Sequence, residues 1–146
     1  MADLEHNAKK RKDHIHDLNP PGCYTAKCYR GEQLTDGTYE VTIELSTFFR
    51  ENRVPMATTF HPLPLCLHIR NHSPTGFAWG YAGSGPAQLA LALLMDAMCD
   101  IDLALPYYQE FKRSVVESWP GSWVITADEI RRFVASRQES PGAFTE

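Results

Sequence analysis

Apolar and polar positions alternate most regularly in "TYEVTIELS". Here Tyr39, Val41, Ile43 and Leu45 interleave with Thr38, Glu40, Thr42 and Glu44. A period of two buries one face of a strand and wets the other. "CYTAKCYR" just upstream predicts a second strand, and the turn-rich "GEQLTDG" between them predicts an antiparallel hairpin. Residues 47–64 hold no sustained period and contain Pro55, Pro62 and Pro64. They predict a loop excursion anchored by Phe48, Phe49 and Phe60, unusually long for a compact domain. "LCLHIR" alternates again, with Leu65, Leu67 and Ile69 on one face, and predicts another strand.

Beyond residue 85 the period changes. "PAQLALALLMDAM" is apolar nearly all round and opens on Pro86, whose missing N–H is harmless in a first helical turn. It predicts a central, buried helix. Leu103, Tyr107, Phe111 and Val115 fall four apart and predict one helix from about Asp102 to Glu117, with Pro106 in its first turn. "SWVIT" predicts a short strand. Thr126 and Glu129 form the Thr-x-x-Glu capping box of a last helix, with Ile130, Phe133 and Val134 as its apolar stripe. The fold class that follows is α+β: a small antiparallel sheet from the N-terminal half packed against about three C-terminal helices.

Composition narrows the picture. The chain has 146 residues, 43% hydrophobic and 22% charged, which suits one domain with a core of its own. Residues 1–20 are charged and poor in large apolar side chains, so they read as a flexible arm, and residues 139–146 as a tail around a single domain over 21–138. The net charge of −4 makes nucleic acid an unexpected partner. "KKRK" at Lys9–Lys12 is a solvated basic run or a phosphate contact. No apolar run reaches the length of a bilayer crossing, and the N-terminus is charged rather than signal-like. The expectation is a cytoplasmic protein without a membrane partner. Cys23, Cys28, Cys66 and Cys99 are therefore expected as thiols, with Cys66 and Cys99 buried. No metal and no cofactor are expected: His14 and His16 with Cys23 and Cys28, or His61, His68 and His72, lack the tight spacing of structural zinc ligands.

Candidate chemistry gathers in "RNHSPTGFAWGYAGSGPAQ". Gly83, Ser84 and Gly85 precede a helix whose first N–H groups lack internal partners and carry partial positive charge. A small anion or a nucleotide-like molecule fits there. The motif is neither a phosphate-binding loop nor a dinucleotide fingerprint, and the competing reading is a helix cap with a tight turn. His72 is the candidate acid/base for an enzyme acting on a phosphorylated substrate. Neighbouring strand residues point to opposite faces, which disfavours activation of Ser73 by His72. Asn71 and Ser73 otherwise bond their own backbone before Pro74. Trp79 and Tyr81, flanking Gly80, would share a face in extended backbone and could stack on a ligand or roof the core.

"NHSPTGFAWGYAGSGPAQLALALL", followed by "YYQEFKRSVVESWP…W…EIRRF", resembles the signature of an uncharacterised family of small bacterial and phage proteins. The likeness runs from about Cys28 to Val134. It implies a compact α+β domain and a bacterial or phage origin. It also implies an acidic residue where Ala78 stands, glycine where Ala82 stands, and a shorter stretch than Phe48–His61 in many members. The resemblance implies no activity. Taken together, the residues favour a binding module whose ligand is a small anion or a host protein. Asn71, His72, Trp79, Tyr81, Gly83, Ser84 and Gly85 would form the site. The alternatives are the phosphate-directed enzyme and a pure interaction or inhibitor module. The latter would show exposed aromatics in the 47–64 excursion and a closed glycine turn.

Overall fold

The computed structural model describes residues 22–51 and 54–139. The charged arm, with Lys9–Lys12, His14 and His16, lies outside them, as do residues 140–146. Strands β1 (Cys23–Gln33), β2 (Tyr39–Phe49) and β3 (Pro55–Pro62) precede helix α1 (Ser84–Met98). Helices α2 (Ile101–Ala104) and α3 (Tyr108–Ser114), a 3-10 turn (Val116–Ser118), strand β4 (Ser122–Thr126) and helix α4 (Ala127–Gln138) follow. The class is α+β. The sheet runs in the order β3-β2-β1-β4, so the C-terminal half contributes one edge strand. Contacts divide the chain into two units.

The larger unit comprises residues 27–44 and 60–139. Its centre is α1, in which every position from Gly85 to Leu94 is buried. That follows from an apolar run too wide for a single stripe. α1 packs against α2, α3, α4 and the 3-10 turn. The alternation of β2 turns Val41 and Ile43 inward. β4 pairs antiparallel with β1, with Gly31 opposite Trp123. A Cβ at Gly31 would lie 2.1 Å from the Trp123 ring, so only glycine leaves room for that indole. Trp123 in turn stacks on Trp119 at 4.0 Å and meets the edge of Trp79. The capping box of α4 forms as predicted: Thr126 Oγ1 accepts from Glu129 N–H at 3.0 Å, and Thr126 N–H donates to Glu129 Oε1.

Four expectations are corrected here. Residues 55–62 form a strand, not a loop. All eight are exposed, so neither face supplies the periodic signal that reveals a half-buried strand. Residues 63–70 form turns, not a strand. Pro62 and Pro64 interrupt the backbone donors, and Cys66 sits at φ 60°. The helix expected over 102–117 is broken into α2, α3 and the 3-10 turn, because Pro106 contributes no N–H to a continuous ladder. Cys66 and Cys99 are thiols, but Cys66 is half-buried and Cys99 exposed. Cys99 caps α1 in the left-handed region, its N–H donating to Met95 O, so its side chain leaves the apolar run.

The smaller unit contains described residues 22–26, 45–51 and 54–59. Tyr24 stacks on Phe48 with centroids 5.2 Å apart, and Ser46 and Thr58 hydroxyls bond across strands at 3.1 Å. Arg50 N–H donates to Gly22 O.

Candidate functional site

Gln88 organises the segment from Leu65 to the start of α1. Its side chain is fully buried. Its Oε1 accepts from His72 N–H at 2.8 Å and Ser73 N–H at 3.0 Å. Its Nε2 donates to Leu65 O and to Arg70 O at 3.1 Å. All four hydrogen-bonding positions of one amide are used on backbone groups that no regular ladder serves. The polar character of Gln88 inside a helix apolar nearly all round is its signal in the sequence.

With the backbone held this way, the polar side chains of "NHSPTGF" turn to separate partners. Ser73 Oγ donates to Gly76 O at 2.7 Å, closing a turn that spans Pro74. The His72 ring meets the Tyr108 hydroxyl at 2.8 Å. The same hydroxyl accepts from Gln109 Nε2 at 3.2 Å. His72 is therefore engaged with a phenol rather than with Ser73. Tyr108 is buried, and it stands 36 positions from His72, so no local spacing relates the two. Asn71 is exposed.

The glycine-rich turn is closely packed. Gly83 is extended, at φ 178°, and no side chain caps α1. Gly85 is buried, and a Cβ there would lie 2.6 Å from Ala78 Cβ and 3.3 Å from the Tyr81 hydroxyl. A Cβ at Gly83 would meet the Tyr81 ring at 2.7 Å. These glycines admit Ala78 and Tyr81 to the helix start. Ala87 N–H already donates to Gly83 O, and Ser84 is exposed. The two aromatics do not share a face. Gly80, at φ 84°, turns the chain between them. Trp79 goes inward, 3% exposed, onto Tyr39 and Trp123, while Tyr81 remains half exposed.

The profile of a family of unknown function, DUF6166, matches residues 29–136. The chain belongs to that family. Comparison with the curated proteins and with the solved structures returns no match. The matched DUF6166 span takes in Gln88, the tryptophan cluster and the helical half up to residue 136. Ala78 is buried against Gly85, so this member presents no carboxylate at that place.

Two ionic clusters lie elsewhere in the larger unit. Asp96 Oδ2 on α1 accepts from the Tyr29 hydroxyl at 2.6 Å and from Lys27 Nζ at 3.0 Å. Burial, and then the Asp96 hydrogen bond and charge, push the Tyr29 phenol far above its usual range, so it is a permanent donor. Glu44 accepts from Cys28 Sγ at 2.9 Å and from Arg30 Nε at 3.2 Å. The Cys28 hydrogen bond, aided by Arg30, holds the Glu44 carboxyl below its usual value. Burial and Glu44 push the Cys28 thiol up to about 11, which leaves it protonated and a poor nucleophile at neutral pH. Nearby, Arg30, Glu32, Glu40, Thr42 and Phe60 line a cavity of about 160 Å³. Among the described residues, no three His, Cys, Asp or Glu side chains are grouped to hold a metal ion. No helix among them is long and apolar enough to cross a membrane.

The smaller unit has a different surface. Cys23 is its one buried side chain among the described residues, with its Sγ 3.8 Å from Met56 Sδ. Tyr24, Phe49, Val54 and Met56 are 39, 49, 65 and 49% exposed. Scattered apolar side chains are ordinary on a surface, and here four occur within a few residues of one another along β1 and the β2–β3 end.

Proposed function

We propose that this protein is a non-catalytic binding module of the bacterial or phage cytoplasm that captures a partner protein through the apolar end of its β2–β3 hairpin. The concentration of Tyr24, Phe49, Val54 and Met56 at the surface of the smaller unit carries this reading. Arg50 and Glu51 follow Phe49 in the sequence, and exposed apolar side chains beside charge suit a partner that buries aliphatic or aromatic groups and meets charge at the rim. The close packing of Ala78 and Tyr81 on Gly83 and Gly85 supports the same reading, since it narrows the approach for a small anion at the start of α1. A phosphate-directed enzyme with His72 as acid/base would also need a partner group for catalysis, and the ring is occupied by Tyr108.

The test compares two sets of variants. A partner recovered from a bacterial lysate is titrated calorimetrically against the wild type, Phe49→Asp, Met56→Asp, and the pair His72→Ala and Ser84→Ala. The hairpin variants are expected to lose affinity by at least about tenfold, and the pair to stay within about twofold. Thermal-shift measurements with inorganic phosphate and nucleotides are expected to show no stabilisation. Stabilisation by either that Ser84→Ala abolishes, or partner binding lost only in His72→Ala, overturns the proposal in favour of the glycine turn.

A further inference from the structure

One face of the sheet in the larger unit is open, and its charges do not balance. Tyr29 and Gly31 on β1, Val41 and Ile43 on β2, and Trp123 and Ile125 on β4 are buried. Arg30, Glu32, Glu40, Thr42 and Val124 therefore share the other face. The Leu34 N–H donates to Thr38 O where β1 turns into β2. Counted back from that bond, Glu32 stands opposite Glu40, Arg30 opposite Thr42 and Cys28 opposite Glu44. The 2.9 Å bond between Cys28 Sγ and Glu44 agrees with this register. On the other side of β1, Val124 stands opposite Arg30. Phe60 of β3 joins Arg30, Glu32, Glu40 and Thr42 around the cavity of about 160 Å³.

Two carboxylates directly across an antiparallel pair repel each other. Neither Glu32 nor Glu40 makes an ion pair or a side-chain hydrogen bond among the described residues. Arg30 lines the same cavity, but its Nε donates to Glu44 at 3.2 Å. Phe60 and Val124, on the two strands that flank β1 and β2, are 61 and 53% exposed. The face thus carries two uncompensated negative charges between two uncovered apolar side chains.

We propose that this face docks a lysine- or arginine-bearing segment of a partner protein, with one cationic side chain received between Glu32 and Glu40. A cation there replaces the repulsion of the two carboxylates by attraction to both. The aliphatic stem that carries it covers apolar surface of the kind that Phe60 exposes. The same carboxylates repel phosphate, which sets nucleic acid and anionic lipid aside. A metal ion is not the matching cation, since among the described residues no three His, Cys, Asp or Glu side chains are grouped to hold one. This surface belongs to the larger unit and goes beyond the capture of a partner by the hairpin end.

The probe is the peptide acetyl-Leu-Gly-Arg-Gly-Leu-amide, compared with the same peptide in which neutral citrulline replaces arginine. Titration of isotope-labelled full chain with the arginine peptide is expected to give saturable amide shifts at Glu32, Glu40 and Thr42. The citrulline peptide should give none. Glu40→Gln should weaken the arginine peptide at least about fivefold, and Glu139→Gln, which removes the same charge elsewhere, should stay within about twofold. Glu40→Gln should also raise the urea midpoint, because it relieves the pair that only a partner satisfies. No shift with the arginine peptide up to about 10 mM, equal shifts with citrulline, equal weakening by Glu139→Gln, or a lowered midpoint in Glu40→Gln each overturns the proposal. Met56→Ser should leave these shifts unchanged, so failure here and failure of hairpin binding read out separately.

Discussion

The start of α1 and the end of the β2–β3 hairpin use their side chains in opposite ways. Around α1, ten consecutive positions from Gly85 to Leu94 are buried, and the one polar side chain among them, Gln88, satisfies four backbone groups. In the smaller unit only Cys23 is buried among the described residues, and Tyr24 of β1 with Phe49, Val54 and Met56 at the hairpin end are exposed. Gln88 and the close packing at Gly83 and Gly85 thus hold the glycine-rich motif in place, while its Asn71, Tyr81 and Ser84 stay exposed. Exposed large apolar side chains gather in the stretch without any periodic pattern. Stability and binding should therefore respond to different substitutions.

Gln88→Leu should break the first region most severely. It preserves the volume of the side chain but strands the N–H groups of His72 and Ser73 and the carbonyls of Leu65 and Arg70. Each unsatisfied buried group costs about 1–3 kcal/mol, so a loss of about 4 kcal/mol in urea unfolding is expected even with partial relaxation. Gly31→Val comes next, because its Cβ would fall within the Trp123 ring that Trp119 holds from the other side. Overpacking of this kind should cost about 3 kcal/mol, with a visible change in near-UV circular dichroism from the displaced indoles. Tyr29→Phe removes a donor from Asp96 while keeping the packing, and should cost about 2 kcal/mol by the same measurement.

These sites also show which parts of the fold were legible in the sequence. The alternation from Tyr39 to Leu45 and the Thr126–Glu129 box are local signals, and both elements formed where they pointed. The apolar run after Pro86 located the buried helix for the same reason. β3 was illegible because periodicity reports burial on one face, and Pro55–Pro62 is buried on neither. A first helical turn can hold Pro106, so its place between two short helices has no local signal. The His72–Tyr108 bond spans 36 positions and Gly31 opposes Trp123 across two strands. Such pairs depend on the tertiary arrangement, which no local spacing encodes.

Smaller effects follow from the ionic clusters. Cys28 is held protonated up to about 11, above the ordinary thiol value of 9.0. The unfolded chain ionises first, so this contribution to stability is complete below pH 9.0 and declines as pH rises towards 11. Cys28→Ser, which keeps a donor to Glu44 without a titrating thiol, should flatten that decline in urea midpoints. Alkylation at about pH 8 should label the exposed Cys99 well before Cys28. The smallest effect is expected in the second region. Phe49→Ser and Met56→Ser should shift stability by no more than about 0.5 kcal/mol, since both side chains are already half in water.

Backbone amide shifts of isotope-labelled protein test the central contrast most directly. Addition of the captured partner should move the resonances of Thr47–Phe49 and Met56–Thr58, and inorganic phosphate or nucleotide should move neither Ser84 nor Gly85. Saturable shifts at Ser84 and Gly85, with the hairpin end unmoved by the partner, would contradict it.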